Sequence, residues 1–200
     1  MAVDRAISQA IPPARRRSPG AQRVLLAHNA DTPVDTLARL ARNHDHLVRR
    51  GVASNPSTPP EVLAELAADD AAPVRHAVAR NHSCPGHAIA QLAEDLDDGV
   101  RLAVASNPQI PPHVQLVCTQ ADYPAVREWL ARNPACLPRV LAVLSQDLAA
   151  PVRRAVAQHP ECGVQIIEQL LVDEDTTVRA AALDNPRCPE EYRALRSIAR

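Results

Sequence analysis

The sequence predicts an all-α solenoid in which seven two-helix repeats of about 26 residues stack side by side. Three observations support this prediction. One sequence pattern recurs every 26 residues, and its apolar residues follow helical spacing. No stretch alternates polar and apolar residues as a half-buried strand would. The recurrences open at Val48, Val74, Val100, Val126, Val152 and Val178.

The repeat array is predicted to span residues 22–200. Asn29, Thr32 and Pro33 stand 26 residues before Asn55, Thr58 and Pro59, so a first repeat begins at position 22. The repeats therefore begin at positions 22, 48, 74, 100, 126, 152 and 178. Residues 1–21 are predicted to form a flexible arm rich in Arg and Pro, whose run Arg15–Arg17 either contacts phosphates or, in our preferred interpretation, is a solvated tail.

The first helix of each repeat is predicted to be short. In the third repeat, Val74, Ala77 and Val78 share one face, and eight residues make barely two turns, so packing must hold the helix. An Asn-Pro pair ends it, because the residue before Pro is pushed out of the α region. We call the residues at one position of successive repeats a column. The Asn column contains Asn55, Asn81, Asn107, Asn133 and Asn185, with His159 as an exception.

The second helix is predicted to be the longer of the two. Thr58 is placed to cap it, and Pro59 and Pro60 occupy its first turn, where a missing amide donor does no harm. Its buried stripe is predicted at three positions of each repeat. Examples are Val62, Leu63 and Leu66, then Val140, Leu141 and Leu144, and Ile166, Ile167 and Leu170.

The two terminal repeats differ from the others in a way that predicts caps. Gln22 replaces the opening Val, and Arg193 and Arg196 stand where other repeats have Leu or Ile. Because a terminal repeat needs one polar face, we expect the array to be complete at both ends.

The repeated string VRxAVAxNPxxPPxxLxxLxxD resembles the leucine-rich repeat variant family over about nine tenths of the chain. The resemblance implies a right-handed superhelix in which each repeat pairs a long α-helix with a short α- or 3₁₀-helix. Members of the family can carry an amino-terminal iron–sulfur domain with clustered cysteines. Residues 1–21 contain no Cys, so we expect no such cofactor here.

A second resemblance is to HEAT repeats, in which an Asp six residues before an Arg forms a ladder between repeats. A planar guanidinium can bridge a carboxylate and backbone carbonyls, so we interpret these charges as structural and not catalytic. Asn43 with Arg49 is a weaker version, and Ala121 is expected to leave Arg127 without its acid. The predicted ladder contains Asp69 and Arg75, Asp95 and Arg101, Asp147 and Arg153, and Asp173 and Arg179.

No residue pattern in the sequence indicates catalysis or metal binding. One column contains Cys84, Cys136, Cys162 and Cys188, but neighbouring repeats are about 8–10 Å apart, too far for a disulfide or a shared zinc ion. Cys118 replaces a core Leu. His44 and His46 could hold a metal only weakly. We therefore expect a protein that is not an enzyme, with no cofactor, no metal and no small-molecule substrate.

Composition points to a cytoplasmic protein. Five cysteines, an odd number, fit a reducing compartment, and the sequence has neither a secretory leader nor an apolar run long enough for a membrane span. All basic residues are Arg and none is Lys, which favours the codon usage of a GC-rich bacterial genome. The net charge of −1 argues against a strongly polycationic protein.

The candidate partner-binding residues lie on the outward face of the first helices. Positions two and six after the opening Val give Arg50, His76, Arg80, Arg132 and Arg154, so this face is predicted to be basic. Tyr123 and Trp129 are further candidates. Trp129 either fills space lost nearby, which we favour, or is an exposed anchor of the kind found at binding hot spots.

Two functions from different classes fit this pattern. The preferred one is a scaffold that binds an acidic segment of another protein along the basic face. The alternative is binding to nucleic-acid phosphates, against which stand the near-zero net charge and the scarcity of aromatic residues for stacking on bases. A third possibility, an accessory subunit of a cofactor enzyme, rests on family analogy alone.

Overall fold

The computed structural model of the chain describes residues 18–198, and side chains as far as residue 194. Fourteen α-helices and no strand lie within this range, and two successive helices form each repeat. In chain order the pairs are α1 (Pro19–His28) and α2 (Val34–Leu40), α3 (His46–Ser54) and α4 (Pro60–Leu66), α5 (Ala72–Arg80) and α6 (Gly86–Leu92), α7 (Asp98–Ser106) and α8 (Pro112–Thr119), α9 (Pro124–Arg132) and α10 (Pro138–Leu144), α11 (Ala150–Gln158) and α12 (Val164–Leu170), and α13 (Thr176–Asp184) and α14 (Glu190–Ile198).

The predicted all-α repeat fold is confirmed, but the relative lengths of the two helices were predicted the wrong way round. The first helix of a repeat, here called the A helix, has nine residues from α3 onward, whereas the second, the B helix, mostly has seven. A helices begin two residues before the opening Val because that first turn is already stabilised. Asp45 caps one A helix through the amide of Leu47, and Pro73 occupies the first turn of the next.

The boundary of the amino-terminal arm also differs from the prediction. Helix α1 begins at Pro19, and the Ser18 hydroxyl accepts a hydrogen bond from the amide of Ala21. Residues 19–21, which the sequence placed in the arm, therefore belong to the first repeat. The run Arg15–Arg17 lies outside the described residues.

The A helices form the tightly packed side of the stack. Each A helix contacts the A helices of both neighbours extensively, whereas B helices contact each other far less. The predicted stripes are buried, as Leu63, Leu141 and Ile167 show, although Ile166 is only partly buried.

The Asn column joins each repeat to the one before it. The Nδ2 group of Asn81 donates to the carbonyls of Ala53 and Asn55, at 2.8 and 3.0 Å, and its Oδ1 accepts from the amide of Ser83. The same arrangement recurs at Asn55 and Asn133. A buried amide with both ends paired satisfies backbone groups left over where the A helix stops.

His159 replaces Asn in this column and makes equivalent contacts with a larger ring. Its Nδ1 accepts from the amide of Glu161 at 3.0 Å, and its Nε2 lies 3.1 Å from the carbonyl of Asn133. Since Nδ1 is an acceptor, the ring is the neutral tautomer that carries its proton on Nε2.

The Thr and Cys column has a different role from the predicted one. The Thr58 hydroxyl donates to the Val52 carbonyl of the preceding A helix at 2.6 Å, and Pro59 at the N-cap of α4 makes no side-chain cap hydrogen bond. Thr58 therefore satisfies a backbone carbonyl at the end of one helix and does not cap the start of the next.

The Arg and Asp ladder exists, but each Arg pairs with the Asp twenty residues after it, in its own repeat, and not with the Asp six residues before it, in the preceding repeat. Arg75 binds the carboxylate of Asp95 in a bidentate manner, with Nε–Oδ2 2.6 Å and Nη2–Oδ1 2.9 Å. Its Nη1 donates to the backbone carbonyl of Asp69 at 2.7 Å, so the Asp six residues earlier contributes its carbonyl and not its carboxylate. The carboxylate of Asp69 pairs with Arg49 instead. The four ion pairs, each within one repeat, are Arg49–Asp69, Arg75–Asp95, Arg127–Asp147 and Arg153–Asp173.

The missing acid at Ala121 therefore affects Arg101 and not Arg127. Arg127 pairs with Asp147, whereas Arg101 binds the Asp95 carbonyl at 2.5 Å and the exposed carboxylate of Asp98 beside it. At the end of the array, Arg179 binds the carbonyls of Asp173 and Glu174, at 2.6 and 2.9 Å.

The ladder aspartates are held in their ionised form. Burial raises the pKa of the Asp95 carboxyl, but the hydrogen bonds from Arg75 and from the amide of Asp97 outweigh burial and hold that pKa below its usual range. At Asp173 the hydrogen bond from Arg153 dominates and lowers the pKa in the same direction.

We predict that removing a complete ladder pair costs more stability than removing the incomplete one. Arg75→Ala should lower the free energy of unfolding by about 3 kcal/mol because it leaves the buried Asp95 carboxylate unpaired. Arg101→Ala should cost clearly less, and Arg50→Ala, on the surface, least. Urea unfolding followed by circular dichroism would measure this order. Equal losses for Arg75→Ala and Arg101→Ala would contradict the assignment of Asp95 as the partner of Arg75.

We also predict that His159→Asn is tolerated, whereas Asn133→Ala is not. Asn at position 159 restores the side chain that the other repeats use, so thermal unfolding should stay within about 1 kcal/mol of the parent protein. Asn133→Ala leaves the carbonyls of Ala105 and Asn107 without their donor and should cost about 2 kcal/mol. A large loss for His159→Asn would mean that the imidazole has a role beyond these two hydrogen bonds.

Candidate interaction face

The outward side chains of the A helices form one continuous surface, here called the A-helix face. It consists of positions two and six after the opening residue of each repeat. In chain order these are Val24 and His28, Arg50 and Ser54, His76 and Arg80, Leu102 and Ser106, Glu128 and Arg132, Arg154 and Gln158, and Ala180 and Asp184.

Three of the predicted binding residues line one groove on this face. Arg50, His76 and Arg80, from consecutive A helices, surround a cavity of about 430 Å³ together with His28 and Ser54. The sequence reasoning did not single out His28, although it occupies the same column as Arg80 in the first repeat. We call this cavity the basic groove.

The cationic groups of the basic groove are not neutralised by neighbours. Within the described part of the chain, neither Arg50 nor Arg80 forms an ion pair. Burial and the nearby charge of Arg80 hold the pKa of His76 below its usual value, although Asp97 acts in the opposite direction. At neutral pH the groove therefore presents two guanidinium groups and a mostly neutral imidazole.

The basic character weakens in the fifth repeat. Arg132 pairs with Glu128 one helical turn away, with an Nη2–Oε1 distance of 2.5 Å, and its guanidinium also lies 5.8 Å from the ring centroid of Trp129. Arg154, in the next repeat, makes no ion pair among the described residues. The positive charge of the A-helix face is thus concentrated in the second and third repeats.

Trp129 is exposed, so our preferred interpretation of it as packing was wrong. The residue is 42% exposed. The residues of its column lie where consecutive A helices contact each other. The Gly in this column, Gly51, is so close to the preceding helix that an added Cβ would lie 2.8 Å from the Cβ of Ala27. Because such a column accommodates at most a methyl group, a ring placed there must turn outward.

The Trp129 ring borders a second cavity next to the basic groove. This cavity of about 370 Å³, here called the Trp129 pocket, has Leu102, Ala103 and Pro108 as apolar walls. Arg80 and His82 form its polar edge, and Arg80 lines the basic groove as well. The sequence reasoning did not single out His82 or Leu102 as site residues, although Leu102 stands where the second, third, fifth and sixth repeats carry polar residues.

Tyr123 does not belong to either cavity. It immediately precedes α9 and is 46% exposed, but it lines neither the basic groove nor the Trp129 pocket. It remains a candidate for partner contact on exposure alone.

The cysteines are packing residues. All five are buried, and burial raises the pKa of the Cys84 thiol to about 11 and that of Cys118 to about 12. Such thiols stay protonated at neutral pH and are poor nucleophiles. Among residues 18–194, no three His, Cys, Asp or Glu side chains lie close enough to share a metal ion. None of the described helices combines the length and the apolar character that crossing a bilayer requires.

This architecture defines an all-α solenoid repeat protein, a class whose extended surfaces serve molecular recognition. A family model described as leucine rich repeat variant matches residues 46–71, the span of one repeat. The resemblance to the leucine-rich repeat variant family is therefore confirmed, and the chain is built from repeats of that type.

A solved structure supports this classification. A protein described as a leucine-rich repeat variant with a novel repetitive protein structural motif is 32% identical to the chain, with a TM-score of 0.62. The match covers 80% of the present chain, which spans only 64% of the length of that protein. An engineered protein is 19% identical over 87% of this chain and 90% of its own, but its TM-score of 0.35 is too low to bear on the fold. No curated protein matches the chain.

Proposed function

We propose that this protein is a non-enzymatic scaffold that binds an acidic, extended segment of another protein along the A-helix face. The observation that carries the proposal is the basic groove, where Arg50 and Arg80 converge from consecutive repeats and form no ion pair within the described residues. The ladder arginines, by contrast, are already engaged with backbone and carboxylate groups. Arg50 and Arg80 are therefore available to recognise a partner.

The groove suits carboxylates on a peptide. A guanidinium binds a carboxylate through two parallel hydrogen bonds, and two such groups on neighbouring repeats would engage acidic residues spaced along an extended segment. His28 and His76 lie on the same groove and add donors. Binding along the stack fits a solenoid, since its repeats present equivalent positions at regular intervals.

Charge distribution favours a peptide over a nucleic acid. Asp97 borders the same face beside Arg50 and His76, and the chain as a whole carries a net charge of −1. A phosphate backbone would meet this carboxylate and find few further cations along the face. One Trp and two Tyr also provide little surface for stacking on bases.

We predict that charge reversal in the basic groove abolishes binding to an acidic peptide. Arg80→Glu should weaken the affinity for a Glu-rich synthetic peptide by about a hundredfold or more at low salt, because an attractive contact becomes a repulsive one. The matched control is Arg139→Glu, an exposed Arg on α10 outside the groove, which should change affinity by less than about threefold. Isothermal titration calorimetry would measure both.

The same titration with a single-stranded oligonucleotide separates the two classes of partner. We expect weaker binding to the oligonucleotide than to the peptide. Tighter oligonucleotide binding, lost in Arg80→Glu and falling steeply with salt, would replace the proposed function with nucleic-acid binding. Equal peptide affinities for Arg80→Glu and Arg139→Glu would remove the basic groove as the site.

Binding of the acidic peptide should strengthen as the pH falls from about 7.5 to about 5.5. Burial and Arg80 lower the pKa of His76 in the free protein, so the ring is neutral at the upper pH and takes up a proton as the pH falls, which the ionised carboxylates of a bound peptide favour. His28 and His82 border the cavities as well, so His76→Gln is needed to isolate the effect. A pH dependence unchanged in His76→Gln would show that this ring does not contact the peptide.

A further inference from the structure

The Trp129 pocket adjoins the basic groove and differs from it in chemistry. Its walls are the exposed face of the Trp129 ring, Leu102 and Pro108, whereas its polar edge is made by Arg80 and His82. Arg80 is common to both cavities, so a ligand that fills the basic groove ends at the mouth of the pocket.

We propose that the Trp129 pocket receives a bulky apolar side chain of the same segment whose carboxylates bind in the basic groove. The partner is then an acidic segment with an aliphatic or aromatic anchor, and not a uniformly acidic one. This inference rests on the proposed function and specifies its ligand. It assigns recognition to Leu102 and Trp129, one in each of two consecutive repeats.

Two further observations support an anchor at this place. Leu102 is apolar, whereas the same position of the second, third, fifth and sixth repeats carries the polar residues Arg50, His76, Glu128 and Arg154. The pocket that Leu102 lines also contains the only Trp of the chain. The guanidinium of Arg132 lies against the ring and is held by Glu128. That contact fixes the ring in its outward position, and a rigid exposed aromatic side chain loses little entropy on binding.

Repeat spacing sets the distance between the two parts of the motif. Neighbouring A helices are about 8–10 Å apart, and an extended chain advances about 3.3 Å per residue. The anchor should therefore lie about three residues from the acidic residue that contacts Arg80. A segment in either chain direction satisfies this spacing.

The test uses synthetic peptides that contain no Trp, so that the single Trp of the protein reports on the pocket. The anchored peptide carries the sequence Glu-Glu-Glu-Ser-Ser-Leu between Gly-Ser flanks, and a second version has the reverse order. The matched control peptide has Ser in place of Leu. Calorimetry gives the affinity of each peptide, and Trp emission shows whether the ring leaves water.

We expect one order of the anchored peptide to bind at least about tenfold more tightly than the Ser control, since burying a Leu side chain is worth that much. That peptide should also shift Trp emission to the blue, and the Ser control should not. In Trp129→Ala the affinity difference should vanish while the Ser control binds as before. Tyr123→Ala, which removes an exposed aromatic residue outside the pocket, should leave the difference intact.

The other outcomes separate failure of this inference from failure of the proposed function. If all peptides bind equally and lose affinity in Arg80→Glu, the basic groove is correct and the anchor pocket is wrong. If Leu increases affinity without an emission shift, the anchor lies elsewhere and the inference again fails. If no peptide binds, the proposed function fails together with it.

Discussion

The stack depends on hydrogen bonds that cross from one repeat to the next. An isolated helix of seven to ten residues is not stable in water, so each must be held by its neighbours. Apolar contact supplies most of that support, but it does not fix register between identical units. The amide of Asn81 and the guanidinium of Arg75 fix it, because each donates to defined backbone carbonyls of the preceding repeat. A shift of one helix against the next would leave several of these buried groups unpaired at once.

The ladder is incomplete in the fourth repeat, and a different polar contact joins that repeat to the fifth. Ala121 cannot offer a carboxylate to Arg101, but Gln115 is buried and bonds to the fifth repeat at two points. Its Nε2 donates to the Ala135 carbonyl, and its Oε1 accepts from the Leu137 amide, both at 2.9 Å. The repeat that lacks its ion pair is thus joined to the next one by a neutral side chain on its B helix.

The repeat pattern made the architecture predictable but not the partners within the ladder. In a chain of period 26, an Asp that stands six residues before one Arg also stands twenty residues after another, so sequence spacing fits both pairings equally. Only the path of the chain shows that Arg75 turns toward Asp95 and meets Asp69 through its carbonyl. Likewise the apolar pattern located both helices but reversed their lengths, because Asp45 and Pro73 extend the A helices by one half-turn before the first buried Val.

The candidate site, like the ladder, could be predicted only in part from the sequence. The 26-residue period correctly predicted that Arg50, His76 and Arg80 share one surface, because a fixed position of the repeat lies on the same face in every repeat. It failed for Arg132, whose neutralisation by Glu128 depends on side-chain geometry, and for Trp129, whose exposure depends on the space between two helices. The small residues of that column, Gly51 above all, already contained the needed information, since a site that excludes a methyl group at one repeat cannot bury an indole at another. The position of Trp129 in the repeat lies where consecutive A helices pack closely, so it has no room for a large buried side chain. A large residue at that position therefore lies on the outer surface. Trp129 consequently lines the same pocket as Arg80.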